Sequence, residues 1–160
     1  TGRTSVTGVY LDRIGHYLAE AALLVGLGAR AQGEWASGGY LELGLVAALG
    51  AVLIKAETDN VVVARAKSGL PVVPALGERA LRPRSTGLAL ARQAASAAGV
   101  HRIIGAVELS LLIALTGVLD VLIGGHTPVT TRVLTGLVAA VAVVQTLLHL
   151  ISVVASRRLR

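Results

Sequence analysis

The chain has 160 residues, of which 54% are hydrophobic and only 15% charged, whereas soluble domains are about a quarter charged. It contains no cysteine, which excludes disulfides and thiolate metal sites. The net charge is +6, but no basic stretch is interleaved with aromatic residues, which argues against a nucleic acid as partner.

Four segments are long and apolar enough to cross a bilayer, which takes about 20 mostly apolar residues. We therefore predict an all-α polytopic membrane helix bundle embedded in the lipid bilayer. The predicted transmembrane helices span about 9–29, 39–54, 103–123 and 133–155.

The first span is polar in its first half. Asp12, Arg13 and His16 lie there, and Glu20 is the one charged residue of the otherwise apolar second half. We expect the polar half to lie in a wet cleft or at the membrane interface, because charged groups in lipid are costly.

The second span carries a stripe of small residues, Gly44, Ala47, Ala48 and Ala51. Such stripes let membrane helices approach closely. The segment 55–102 that follows is polar and is predicted to be cytoplasmic. Its first part, 56–68, continues the helix beyond the lipid, prolines then interrupt it, and a short surface helix is expected over 86–98.

The last two spans contain isolated ionisable residues, Glu108 in the third and His149 late in the fourth. We expect neighbouring helices to satisfy both side chains, because a lone polar residue in a membrane helix commonly pairs within the bundle. For Glu108, the alternatives are a pair with Arg102 or a place in the lining of the cleft.

Basic residues indicate the orientation. If the four spans alternate, twelve of the fifteen Lys and Arg residues fall on one side of the membrane. The positive-inside rule makes that side cytoplasmic, and it is the side of Asp12 and His16. The predicted location is the inner (plasma) membrane of a bacterium, with the polar start of the first span facing the cytoplasm.

The spacing Gly8-x3-Asp12-x3-His16 is the most informative pattern in the chain. Asp12 and His16 are four residues apart and so share one helix face. Two interpretations stay open on this spacing alone. The pair belongs to a functional site, or it is a solvated helix start in which Arg13 is a local ion partner.

This stretch resembles the end of the signature of the CDP-alcohol phosphotransferase (CDP-alcohol phosphatidyltransferase) family, Asp-x2-Asp-Gly-x2-Ala-Arg followed after eight or nine residues by Gly-x3-Asp-x3-Asp. Gly8 matches the second-half glycine and Asp12 the third aspartate, while His16 replaces the last aspartate. The resemblance implies that the four predicted spans are the last four of a six-span domain, and that the missing N-terminal half of the same domain precedes Thr1.

The resemblance also implies an activity. Enzymes of this family transfer a phosphatidyl-type group from a CDP-alcohol, such as CDP-diacylglycerol, to an acceptor alcohol and release CMP in phospholipid synthesis. It implies a divalent metal, Mg²⁺ or Mn²⁺, with Asp12 and the position of His16 among its ligands, Gly8 against the nucleotide, and a homodimer. The acceptor alcohol is expected to be a polyol phosphate. The fragment alone is expected to be inactive.

His16 departs from the family pattern. Imidazole is a poor ligand for Mg²⁺ and suits softer metals, but it exchanges protons near neutral pH and so suits a general base. His16 therefore acts as the catalytic base, belongs to a site that binds with little turnover, or only packs and forms hydrogen bonds.

Three basic residues after the second span, Lys55, Arg65 and Lys67, are candidates for binding the acceptor phosphate. The favoured interpretation is a positive-inside excess that faces anionic lipid headgroups.

Two other functions remain open. A catalytically impaired relative would serve interaction or assembly. A small membrane transporter or scaffold would use Asp12, His16 and Glu20 as an ion path.

Overall fold

The described residues of the computed structural model, 5–33, 38–70, 106–123 and 127–155, form four α-helices and no β-strand. This confirms the all-α prediction. The helices are α1 (Val6–Gln32), α2 (Tyr40–Lys67), α3 (Ala106–Leu122) and α4 (Val129–Ala155).

Each helix contains or overlaps one predicted span, and α2 runs on well past position 54. This confirms that 56–68 continues the second helix. α1 begins earlier than predicted because the hydroxyl of Ser5 accepts a hydrogen bond from the backbone N–H of Gly8 at 2.9 Å, which caps the helix start. The predicted surface helix over 86–98 lies outside the described residues.

Helices that are consecutive in the chain run in opposite directions. Arg13 contacts Asp59 and Gly28 contacts Gly44, so α1 and α2 are antiparallel. The contact of Asp120 with Thr130 shows the same for α3 and α4. One end of the bundle, here called the motif end, therefore holds the start of α1 and the end of α2. The opposite end holds Gln32 and the start of α2.

The small-residue stripe of α2 is buried, as predicted. A Cβ atom on Gly44 would lie 2.7 Å from the carbonyl oxygen of Leu24, and one on Gly28 would lie 2.7 Å from that of Tyr40. Both distances are well inside van der Waals contact. The backbones of α1 and α2 therefore touch at this crossing, which only glycine at both positions permits.

The α2–α4 contact also depends on small residues. A Cβ on Gly50 would lie 3.1 Å from the Cβ of Ala142. The hydroxyl of Thr146 donates to the carbonyl oxygens of Ala142 at 2.8 Å and of Gly50 at 3.2 Å. Close approach lets one threonine link the two helices.

Asp120, near the end of α3, caps the start of α4. Its side chain is 6% exposed. Its carboxylate accepts hydrogen bonds from the backbone N–H and the hydroxyl of both Thr130 and Thr131, at 2.6 to 3.3 Å. These N–H groups belong to the first turn, which has no partner within the helix. A negative charge here also suits the positive end of the helix dipole.

The described helices expose many large apolar side chains. Thirty large hydrophobic side chains of the described residues are exposed, whereas twelve hydrophobic residues are buried. By length and composition, α4 alone among the described helices qualifies as a membrane span, with a mean hydropathy of 2.3 over its most apolar 18 residues. The number of described helices equals the number of predicted spans, and one of these helices has the length and composition of a membrane span.

Candidate functional site

Asp12 and His16 lie on one face of α1 near the motif end. The His16 Nε2 and Asp12 Oδ1 atoms are 3.6 Å apart, and the two side chains are 63% and 72% exposed, respectively. They have no other polar partner among the described residues. Gly8 lies one turn earlier, where a Cβ would come within 3.1 Å of the Ser5 hydroxyl. The pair is free to contact a ligand or a segment outside the described residues.

The adjacent face of α1 is bound to α2. The Arg13 guanidinium lies 2.8 Å from Asp59 Oδ1, and the Tyr17 hydroxyl donates to Asp59 Oδ2 at 2.7 Å. The interpretation of Arg13 as a local partner of Asp12 or His16 was wrong, because its guanidinium faces α2. Asp59 thereby holds two residues of α1 and orients the face that bears Asp12 and His16.

Glu20 and Lys55 form a second link between α1 and α2. The Lys55 ammonium lies 2.5 Å from Glu20 Oε2 and 4.9 Å from the centre of the Tyr17 ring. The Glu20 side chain is 12% exposed. Both charges are therefore neutralised locally, and the aromatic ring adds a cation–π contact.

The three predicted phosphate-binding residues lie at the motif end but differ in their surroundings. Lys55 is engaged by Glu20, whereas Arg65 and Lys67 lie in the last turn of α2. Basic side chains in a last turn are stabilised by the negative end of the helix dipole. Lys67 is exposed. Lys55 therefore differs from Lys67, because it is held in an ion pair with Glu20.

His149 pairs with Glu57 across the α2–α4 interface at 3.0 Å, and each side chain is 15% exposed. This confirms that a neighbouring helix satisfies His149. Burial raises the pKa of the Glu57 carboxyl above its ordinary value. Glu108 is exposed and has no polar partner among the described residues, and its candidate partner Arg102 lies outside them.

The metal donors at the site are few. The described residues contain no group of three or more His, Asp or Glu side chains that could hold an ion. Asp12 supplies one carboxylate and His16 one imidazole. Mg²⁺ prefers several oxygen ligands, so these two residues fit a metal as part of a larger set only.

Sequence reasoning missed Asp59 and Glu57, because both were assigned to a polar continuation of α2. A signal was present. Once 56–68 is helical and antiparallel to α1, Asp59 lies near the level of Arg13 and Tyr17. Glu57 lies two residues away and thus on another face.

The sequence matches no protein-family model, and no curated protein or solved structure is detectably similar to it.

Proposed function

We propose that the chain is part of a polytopic membrane transferase of the CDP-alcohol phosphotransferase type. One observation carries the proposal. Asp12 and His16, at the spacing of the family motif, project from α1 with no described partner except each other, while Arg13 and Glu20 beside them are bound to α2. An acid and an imidazole that face each other on one exposed helix face suit metal and proton chemistry.

The apolar exterior supports a membrane location with four spans. Soluble proteins rarely expose contiguous apolar patches above a few hundred Å², whereas exposed large hydrophobic residues outnumber buried ones here. Only 28% of the most apolar 18-residue stretch of α4 is buried, which is low for a core helix of a soluble protein. The described residues Lys55, Arg65 and Lys67 lie at the motif end, which the positive-inside rule makes cytoplasmic.

In the proposed reaction, the hydroxyl oxygen of the acceptor attacks the β-phosphorus of the CDP-alcohol. The bond from this phosphorus to the bridging oxygen breaks, and CMP leaves. His16 receives the hydroxyl proton as general base. Asp12 would hold the divalent metal, whose charge offsets that of the pyrophosphate. Arg65 and Lys67 are the residues proposed to contact an acceptor phosphate or anionic lipid headgroups, and Lys67 is exposed.

The test is CMP release by the full-length protein with CDP-diacylglycerol, polyol phosphates and Mg²⁺ or Mn²⁺. Asp12→Asn should lower kcat by at least about 100-fold, because charge stabilisation by a metal is worth several kcal/mol. The matched control is Glu108→Gln, which removes an exposed carboxylate at the same end of the bundle and should leave the rate unchanged. Equal rates for Asp12→Asn and the control would contradict the role of Asp12.

His16 variants separate the proposal from a catalytically impaired relative. If His16 is the base, His16→Ala should lower the rate about 100-fold or more, and His16→Asp should retain more activity than His16→Ala. No CMP release from wild type together with a gain in His16→Asp would identify a decayed site with an interaction or assembly role.

The ion-path alternative is less favoured by the geometry. It requires Asp12, His16 and Glu20 to act in sequence, but Glu20 is paired with Lys55 and Asp12 and His16 are exposed on the flank. Proton or cation flux through reconstituted wild type that is lost in Glu20→Gln would support this alternative.

A further inference from the structure

A shallow groove lies at the opposite end of the bundle, between the end of α1 and the outer surface of α3. Arg30 of α1 borders it, and Gly117 of α3 forms its floor. The rest of the lining is apolar and belongs to α3, namely Ile113, Ala114, Val118, Val121 and Leu122.

Gly117 makes room for the arginine. A Cβ atom at this position would lie 3.2 Å from one terminal nitrogen of Arg30 and 3.5 Å from its Cζ atom. The guanidinium therefore lies close to the α3 backbone at Gly117, and a Cβ there would require it to shift. This brings a cation into contact with an otherwise apolar surface.

Arg30 has no carboxylate partner among the described residues. Asp120 lies three residues beyond Gly117 on α3, but its two oxygens are occupied by Thr130 and Thr131. The guanidinium carries five N–H donors, so it retains the capacity to bind an anion. The walls beside it are exposed and apolar, with Val118 56%, Val121 76% and Leu122 75% exposed.

We propose that this groove binds an anionic phospholipid, with the headgroup phosphate on Arg30 and an acyl chain along the apolar residues of α3. The positive charge of Arg30 beside the apolar side chains of α3 suits a ligand that has an anionic group attached to an extended apolar chain. An open groove on the side of the bundle is accessible from lipid. A zwitterionic headgroup would bind more weakly, because its own cation competes with Arg30 for the phosphate. The proposal rests on the membrane location proposed above but not on the transferase chemistry.

The test is lipid retention by the detergent-solubilised full-length protein, measured by native mass spectrometry with phosphatidylglycerol and, separately, phosphatidylcholine. Wild type should retain phosphatidylglycerol preferentially. Arg30→Gln should lower that retention about fivefold, the effect of one basic residue near anionic lipid. Gly117→Leu, which fills the groove, should lower it as well.

The matched control is Gly26→Leu, because a Cβ at Gly26 meets no atom within 4 Å. This variant should retain phosphatidylglycerol like wild type. Equal retention in wild type and Arg30→Gln would overturn the proposal, as would displacement of the lipid by inorganic phosphate alone, which would indicate a site for the free anion. CMP release is measured separately, so failure of the lipid site and failure of the transferase are distinguishable.

Discussion

Glu57 and Asp59 of α2 show how two nearby carboxylates acquire different roles. They are two residues apart and therefore lie on different faces of the helix. Asp59 joins Arg13 and Tyr17 of α1, and its pair with Arg13 is about half exposed. Such exposed ion pairs contribute only about 0–1 kcal/mol, so Asp59 orients α1 more than it stabilises the fold. Glu57 instead pairs with His149 of α4, and its side chain is 15% exposed.

The burial of Glu57 predicts a pH-dependent stability. Because burial raises its pKa, the folded state binds the carboxyl proton more tightly than the unfolded state does. This stabilisation is fully present below the unfolded-state pKa and is lost as the pH rises through the higher folded-state pKa. The Glu57→Gln variant has no carboxyl at this position and therefore does not lose this stability as the pH rises. The thermal unfolding midpoint of Glu57→Gln minus that of wild type should therefore increase as the pH is raised from about 4 to about 7.

The control for this measurement is Glu42→Gln, which removes an exposed carboxylate in the first turn of α2. Its difference from wild type should stay nearly constant over the same range. If the midpoint difference between Glu57→Gln and wild type also stays constant, or falls as the pH rises, burial does not raise the pKa of the Glu57 carboxyl.

At the scale of elements, two kinds of contact hold the helices together. Gly28 and Gly44 have no side chain, so the backbones of α1 and α2 come into contact there. Polar side chains then link α1 to α2, α2 to α4, α1 to α4 and α3 to α4. Arg132 of α4 donates to the carbonyl oxygen of Ala31 at 2.9 Å, which satisfies an acceptor in the last turn of α1. The side-chain oxygen of Gln32 likewise accepts from the N–H of Leu41 at the start of α2.

Gly28→Ala should destabilise the bundle by about 1–3 kcal/mol, the usual cost of overpacking. The added methyl would lie 2.7 Å from a carbonyl oxygen and 2.8 Å from the Gly44 Cα atom, and neither backbone atom can rotate away. Thermal unfolding in detergent measures the effect. Gly26→Ala, two residues earlier on an open face of the same helix, is the control. It should be neutral or stabilising by up to about 1 kcal/mol. Equal midpoints for the two variants would contradict the close crossing.

At the scale of the whole molecule, alternating helix directions separate the two ends. The motif end carries Asp12 and His16 together with Arg65 and Lys67 at the end of α2. The opposite end carries the cap formed by Asp120 and the groove of Arg30. If the bundle spans a membrane, the proposed catalytic and lipid sites therefore face opposite leaflets.

Cysteine labelling tests this topology, since the 160 residues contain no cysteine. Ser68→Cys places an exposed thiol at the motif end and Thr127→Cys places one at the opposite end. In intact cells, a membrane-impermeant maleimide should label Thr127→Cys readily and Ser68→Cys only after lysis. Any native cysteine elsewhere in the full-length protein is first replaced. Equal labelling of both positions in intact cells would contradict the four-span arrangement.

The sequence by itself determined the helical class, the position of each described helix to within a few residues, the buried stripe on α2 and the shared face of Asp12 and His16. These features follow from local periodicity and from the size of side chains, which act within a few turns of one helix. The extension of α1 to Val6 depended on its Ser5 cap, a local signal that the apolar pattern does not include.

Only the tertiary structure decided which partner each polar side chain takes. Arg13 pairs with Asp59, Lys55 with Glu20, His149 with Glu57, and Asp120 with the start of α4. These choices depend on how the helices cross and at which level, and the crossings are set by contacts between residues far apart in the chain, such as Gly28 and Gly44. A helix period specifies the face on which a side chain lies, but not the helix that will pack against that face.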